Sequence, residues 1–146
     1  MQTFLPYESF LDSAEVLDKK RCWKQVVETA QIFDVLEGRK TGWGNHPAVK
    51  MWVGHTDILK EYFNVFLGIS ISKHKINTKY KYFSYKSMVH PILPWWLGDE
   101  NFHRAMRARL IEKDEEFYFP LFPKDKGFND GKYFWPVMES QTFRII

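Results

Sequence analysis

LDKKRCWKQVVETAQIFDVL, residues 17–36, decides the fold. Cys22, Trp23, Val26, Val27, Ala30, Phe33 and Leu36 recur at three- and four-residue steps, the repeat that aligns side chains along one side of a 3.6-residue helix. The spacing predicts a long helix with a buried stripe. Arg21, Lys24, Glu28 and Gln31 recur on another side, with Gln25 beside them, so their polar ends converge on one strip of surface whose only acid is Glu28. As a plain solvated face, such a strip gains little more than a Lys24–Glu28 pair worth about 0.3–0.5 kcal/mol. A carboxylate among cations and amides also suits work on a substrate that carries phosphate, because the cations hold the phosphate while the acid handles a proton.

Working outward, Asp18 offers an N-cap and Gly38 a stop, and GRKTGWGN (38–45) is a loop by its glycines. Upstream, Pro6 pushes Leu5 away from helical angles, so MQTFLPYESF begins extended, and Asp12 or Ser13 then caps a short helix, Ser13–Leu17. Downstream, Asn45 and Pro47 read as the cap and first turn of another helix, which Gly54 interrupts and Thr56 recaps. Ile58, Leu59, Tyr62, Val65, Phe66 and Ile69 share its face, with an end near Gly68 because GISIS is β-branched. Asp99 caps DENFHRAMRARLIEKD, where Phe102, Met106 and Leu110 form the buried side and His103, Arg104 and Arg107 a cationic ridge. The rest, rich in rings, prolines and glycines, reads as segments that wrap the core. The expectation is a mainly α, single compact domain over 1–146, with three principal helices near 18–37, 46–68 and 99–113 and aromatic coil segments around them.

Composition narrows the function. Thirteen Phe, seven Tyr and six Trp in 146 residues give a core of large rings and leave some at the surface, where rings stack on bases. A net charge of +3 permits an anionic partner without demanding one. KHKINTKYKYFSYK (73–86) alternates lysine with ring, which fits either a single-stranded nucleic-acid groove or a solvated edge. The one cysteine, Cys22, falls on the apolar stripe and reads as a buried thiol. His46, His55, His74, His90 and His103 show no ligand spacing, so neither a metal nor a cofactor is expected. Phosphate loops, dinucleotide turns, zinc-protease pairs and nucleophile elbows are missing. With no signal-peptide pattern and no apolar run of membrane length, the reading is a soluble protein of a reducing compartment, hence cytoplasmic, in the host cell if the source is viral.

LDxKRxxKQxxE (17–28), GWxNHPAVKMW (42–52) and WLGxxxFHRxxRxxLxxKD (96–114), followed by LFP (121–123), resemble a group of small phage and bacterial proteins classed with pyrimidine-dimer DNA glycosylases of the endonuclease V type. The resemblance implies a helical domain that binds duplex DNA with a damaged or modified base, flips a base out and uses the chain's own α-amine as nucleophile. An α-amine is less fully protonated at neutral pH than a lysine. Because Gln2 is large, Met1 is expected to be retained and to supply that amine. The carboxylate matching Glu28 then stabilises the developing sugar cation and assists strand cleavage. Arg21, Lys24, Gln25, Asn45, His46, His103, Arg104 and Arg107 are the implied nucleic-acid and phosphate contacts, on a monomer without membrane association. The alternative is a non-catalytic nucleic-acid or nucleotide-binding protein that keeps the fold.

Overall fold

Asp18 accepts a hydrogen bond from the Arg21 N–H at 3.4 Å and so opens the central helix, α2, Lys19–Leu36. The computed structural model describes residues 1–84 and 92–146. The chain is mostly helical, as the periodicities predict. Before α2 lies α1, Phe10–Val16; after it come α3, Pro47–Lys50, α4, Thr56–Ser72, α5, Glu100–Lys113, and α6, Glu115–Tyr118. Two strands, β1, Phe134–Val137, and β2, Thr142–Ile145, close the chain as an antiparallel hairpin with Trp135 opposite Arg144 and Val137 opposite Thr142.

The apolar stripe of α2 is buried at Cys22, Val26 and Phe33 and half-buried at Trp23, Val27, Ala30 and Leu36. The polar strip expected on its surface is split. Lys24 and Gln31 face solvent, whereas Gln25 and Glu28 are buried with Thr29 and Ile32, because residues 3–6 run along that side and are themselves buried. On the stripe side α2 packs on α4, where Cys22 Sγ stands 3.4 Å from Ser70 Oγ.

Four sequence expectations are corrected. The first helix starts earlier than Ser13–Leu17: Ser9, not Asp12 or Ser13, caps it by accepting from the Asp12 N–H at 3.1 Å. Ser13 is buried instead, its hydroxyl bridging the N–H and carbonyl of Tyr7 at 3.0 Å each. The interruption read at Gly54 is present, α3 and α4 being separated by a turn that ends in Gly54 at φ +81°, a left-handed conformation that costs glycine least, but the caps differ: His46, not Asn45, caps α3, and His55, not Thr56, precedes α4. Helix α4 then runs through GISIS to Ser72, since packing of Ser70 and Ile69 on the core outweighs the weak helix propensity of β-branched residues. Last, the wrapping segment contains the hairpin. Pro136 sits within β1, tolerated because each strand of a two-stranded sheet is an edge.

Rings fill the centre. Trp52 meets Trp96 edge-on with centroids 5.1 Å apart, and Tyr62 stacks on Phe66 at 4.1 Å. Trp96 Nε1 donates to the Met51 carbonyl at 3.1 Å, tying the turn before α4 to the segment before α5. Within the lysine–ring stretch 73–86, Phe83 is pinned by Asn64, which meets both its N–H, at 2.8 Å, and its carbonyl, at 2.9 Å. Tyr80 leans on Trp23 and Phe63, while Tyr82 stays exposed. Residues 85 and 86 of that stretch, residues 89–91 of the proline-rich connector, and His90 lie outside the described residues.

Candidate functional site

Nearly every peptide of the buried N-terminal segment is anchored by a side chain from another element. The Gln2 N–H donates to Glu28 Oε2 at 2.6 Å. Thr3 Oγ1 accepts from Trp52 Nε1 at 3.1 Å. The Phe4 N–H donates to Gln25 Oε1 at 2.9 Å, and the Phe4 carbonyl lies 2.9 Å from the Tyr62 hydroxyl. The Leu5 carbonyl lies 2.8 Å from His103 Nδ1, and the Pro6 carbonyl accepts from Arg107 Nη1 at 2.7 Å. A buried extended strand with no sheet partner must find such partners, because an unmade backbone hydrogen bond in the interior costs about 1–3 kcal/mol. The arrangement fixes the start of the chain in one place.

At that place stands Glu28. The helical repeat of α2 aims residues 25 and 28 at the segment, and both side chains are almost entirely buried. Besides the Gln2 N–H, Glu28 has the Lys24 ammonium 4.0 Å from its other oxygen. The α-amine of Met1 is one residue from the bonded N–H, a reach of about 3–4 Å along the chain. A pocket of about 250 Å³ opens on Glu28 and is walled by Gln2, Phe4, Gln25 and four cations, Lys20, Arg21, Lys24 and Lys113. Partial burial, and then the charges of Arg109, Arg21 and Lys24, lower the pKa of Lys113, the mark of a site rich in positive charge. Among the described residues, Arg21 alone of the four is paired with an acid outside the pocket, Asp18 at 3.3 Å.

His46 stands at the cap of α3. Its Nδ1 accepts from the Ala48 N–H at 3.0 Å, capping α3, so its proton is on Nε2. Burial, and then the positive N-terminus nearby, push its pKa down and keep the ring neutral. It stands edge-on to Trp43 and to Trp135, at 5.6 and 6.0 Å. Asn45 is exposed, at the wall of a second and larger pocket. The structure therefore brings Glu28, Gln25, Arg21 and Lys24 to one hollow with Gln2, the residue after Met1, in its wall, whereas Asn45 lines the other pocket and His46 follows it at the cap of α3.

The remaining site residues read from the sequence do other work. Instead of a ridge, His103 and Arg107 are buried, and Arg104 is half-buried. His103 Nε2 accepts from the Gly98 N–H at 3.0 Å while Nδ1 donates to Leu5, and burial lowers its pKa, so it is neutral. Arg107 reaches Asp125 at 2.7 Å and Glu100 at 2.8 Å, and Arg104 shares Asp125 at 2.9 Å while lying 4.1 Å over the Phe128 ring. His103 and Arg107 grip residues 5 and 6 of the segment rather than lining the Glu28 pocket, and Arg104 shares only Asp125 with Arg107.

Sequence reasoning missed Tyr62, Lys20, Lys113 and Asp125. Tyr62 shared the apolar face of α4, and nothing in its spacing disclosed that its hydroxyl sits 2.7 Å from Gln25 Oε1. Burial raises its pKa well above the ordinary phenol value, so it stays a donor. Lys113 lies in the last turn of α5, 85 positions from Glu28, and only the fold brings the two to one pocket. Among the described residues, no group of three or more His, Cys, Asp or Glu is placed to hold a metal ion, and no helix is long and apolar enough to cross a membrane.

No curated protein and no solved structure matches the chain. The family model described as pyrimidine dimer DNA glycosylase matches residues 1–77, just over half of the 146, a stretch that holds the anchored segment, Glu28 and the Asn45–His46 turn. The chain belongs to the pyrimidine dimer DNA glycosylase family.

Proposed function

We propose that this protein is a DNA glycosylase with abasic-site lyase activity on a damaged or modified pyrimidine, working through the α-amine of Met1 with Glu28 as its acid–base partner. The observation that supports this reading is the 2.6 Å hydrogen bond to Glu28 from the N–H of Gln2, the residue that follows Met1. In this scheme the unprotonated amine attacks the sugar C1′, and the electrons of the glycosidic bond leave with the base, which takes up a proton. Glu28 stabilises the positive charge that develops on the sugar. The amine–sugar adduct opens to an imine. Removal of a C2′ proton then expels the 3′ phosphate, and water hydrolyses the imine to free the amine.

Lys20, Arg21, Lys24 and Lys113 line the same pocket as Glu28 and supply positive charge for the phosphates on either side of that sugar. Gln25, His103 and Arg107 act as positioning residues, since each holds the segment that carries the amine. Arg104 supports Asp125, the acid that fixes Arg107. Asn45 and His46 contact the nucleotide beside the amine. The protein is proposed to act as a cytoplasmic monomer on duplex DNA.

Borohydride reduces an imine to a stable amine, so it should trap a covalent complex between the wild-type protein and DNA bearing an abasic site. Glu28→Gln should lower trapping and strand cleavage by about 10²–10⁴-fold, the span of acid–base contributions, with DNA binding retained. Failure to trap any complex across abasic and pyrimidine-damage substrates would leave the non-catalytic binding reading in its place.

A further inference from the structure

Trp43 is the only one of the six tryptophans left largely to solvent, at 57% exposed, while Trp52, Trp96 and Trp135 are buried and Trp23 and Trp95 half-buried. Its backbone stands at φ +71°, in the left-handed region that a bulky side chain enters only at a cost. Glycine enters that region most easily, and Trp43 has a glycine on each side, yet neither Gly42 nor Gly44 has a positive φ. The strain falls on the tryptophan. The turn is also fixed, because the Trp43 carbonyl accepts the His46 N–H at 2.9 Å and the indole meets the His46 ring edge-on at 5.6 Å, its one ring partner among the described residues. The indole takes no part in the buried core, so the core does not explain the conformation. A costly backbone that holds a ring in water points to a contact made outside the chain.

The turn belongs to the part of the chain that is bonded to the anchored segment. Just beyond α3, Trp52 donates to Thr3 at 3.1 Å, two residues from Met1, and the positive N-terminus acts on the ring of His46, against which the Trp43 indole stands. Lys50, exposed on α3, has no carboxylate within 4.0 Å among the described residues and is available to a phosphate. A rigid indole in water offers a flat apolar face on which any base can stack. When a nucleotide leaves a duplex its neighbours lose a stacking partner, and an apolar side chain inserted at that step supplies one.

We propose that Trp43 enters the duplex at the step that a flipped nucleotide vacates and stacks on the base left beside the gap. This rests on the glycosylase reading for the presence of an opened duplex, and it adds a residue which that reading does not use. The left-handed turn presents the indole already fixed, so little side-chain freedom is lost when it stacks. Trp43 is thus a positioning residue: it keeps the duplex open and takes no part in the bond changes.

The test uses a duplex with a tetrahydrofuran abasic analogue, which cannot form an imine, flanked by 2-aminopurine, whose fluorescence falls when a ring stacks on it. Wild type should bind this duplex more tightly than the same duplex without the gap, and should quench the 2-aminopurine. Trp43→Ala should bind the analogue duplex about tenfold or more weakly, the loss of one stacked base, and at saturating protein should leave the 2-aminopurine bright; Trp43→Phe should restore part of both. Trp43→Gly relieves the backbone and should keep or raise the urea midpoint. Equal quenching by saturating wild type and Trp43→Ala overturns the proposal, as does equal wild-type affinity for the two duplexes. A urea midpoint that falls in Trp43→Gly also overturns it, because the ring would then serve the fold. Neither duplex undergoes chemistry, so quenching that depends on Trp43 is read independently of whether borohydride traps an imine.

Discussion

Gln25 Oε1 receives both the Phe4 N–H, at 2.9 Å, and the Tyr62 hydroxyl, at 2.7 Å, and so joins α2, α4 and the N-terminal segment at one buried atom. Removing that atom strands the Phe4 N–H, a backbone donor on a buried residue. Gln25→Ala should therefore lower stability by about 1–3 kcal/mol, the cost of a buried unsatisfied group, read as a fall in the urea midpoint. Tyr62→Phe should cost less, because Gln25 keeps the Phe4 N–H. Equal effects of the two substitutions would mean that the segment is held by packing alone.

Asp125 is shared by two arginines, but only one of them is buried. Arg107→Met leaves Asp125 with a single exposed-side partner and frees the Pro6 carbonyl, so it should cost about 3–5 kcal/mol. Arg104→Met, at a more exposed position, should cost about 1 kcal/mol or less. Chemical unfolding of the two variants side by side checks the order.

Protonating His103 would place an N–H against the Gly98 N–H that Nε2 now accepts. Its folded pKa lies below the unfolded value of 6.5, pressed down by burial and then, against the Leu5 carbonyl, by Arg107, with Glu100 and Glu8 acting the other way. The unfolded state thus binds more protons in acid. The contribution of His103 is fully present above pH 6.5 and is lost as pH falls from there through the folded value. His46, His55 and His74 are shifted in the same direction and add to the slope. Thermal melts between pH 7.5 and 5 should show stability falling with pH, with a shallower fall in His103→Gln; parallel curves would remove His103 from the account.

Lys20 and Lys113 contribute charge to the Glu28 pocket without a carboxylate of their own within 4.0 Å among the described residues. Each replaced by Met should reduce the slope of log K against log salt for duplex binding by about 0.9, the value for one phosphate contact. Arg21→Met should reduce it less, since Asp18 already offsets its charge. Slopes that do not change would place the DNA on another face.

Much of the helical frame was legible in advance because local chemistry specifies it. Asp18 and Asp99 cap the helices that their spacing announces, and the three-four repeat of Cys22, Val26 and Phe33 finds the core. The site was legible only in part. Glu28 and Gln25 stood out as polar groups on a core helix, yet their inward turn depends on residues 3–6, whose burial no periodicity reveals. For the same reason Arg107 read as a surface cation: its partners, Pro6 and Asp125, are respectively 101 and 18 positions away. The hairpin escaped because Pro136 argues against a strand, and the large pocket escaped with it.

If the first residue supplies the nucleophile, reducing the complex with abasic-site DNA, digesting it and locating the sugar remnant by mass spectrometry should find that remnant on the α-nitrogen of the peptide that begins with Met1. A remnant on Lys113, Lys24 or any other lysine would contradict it.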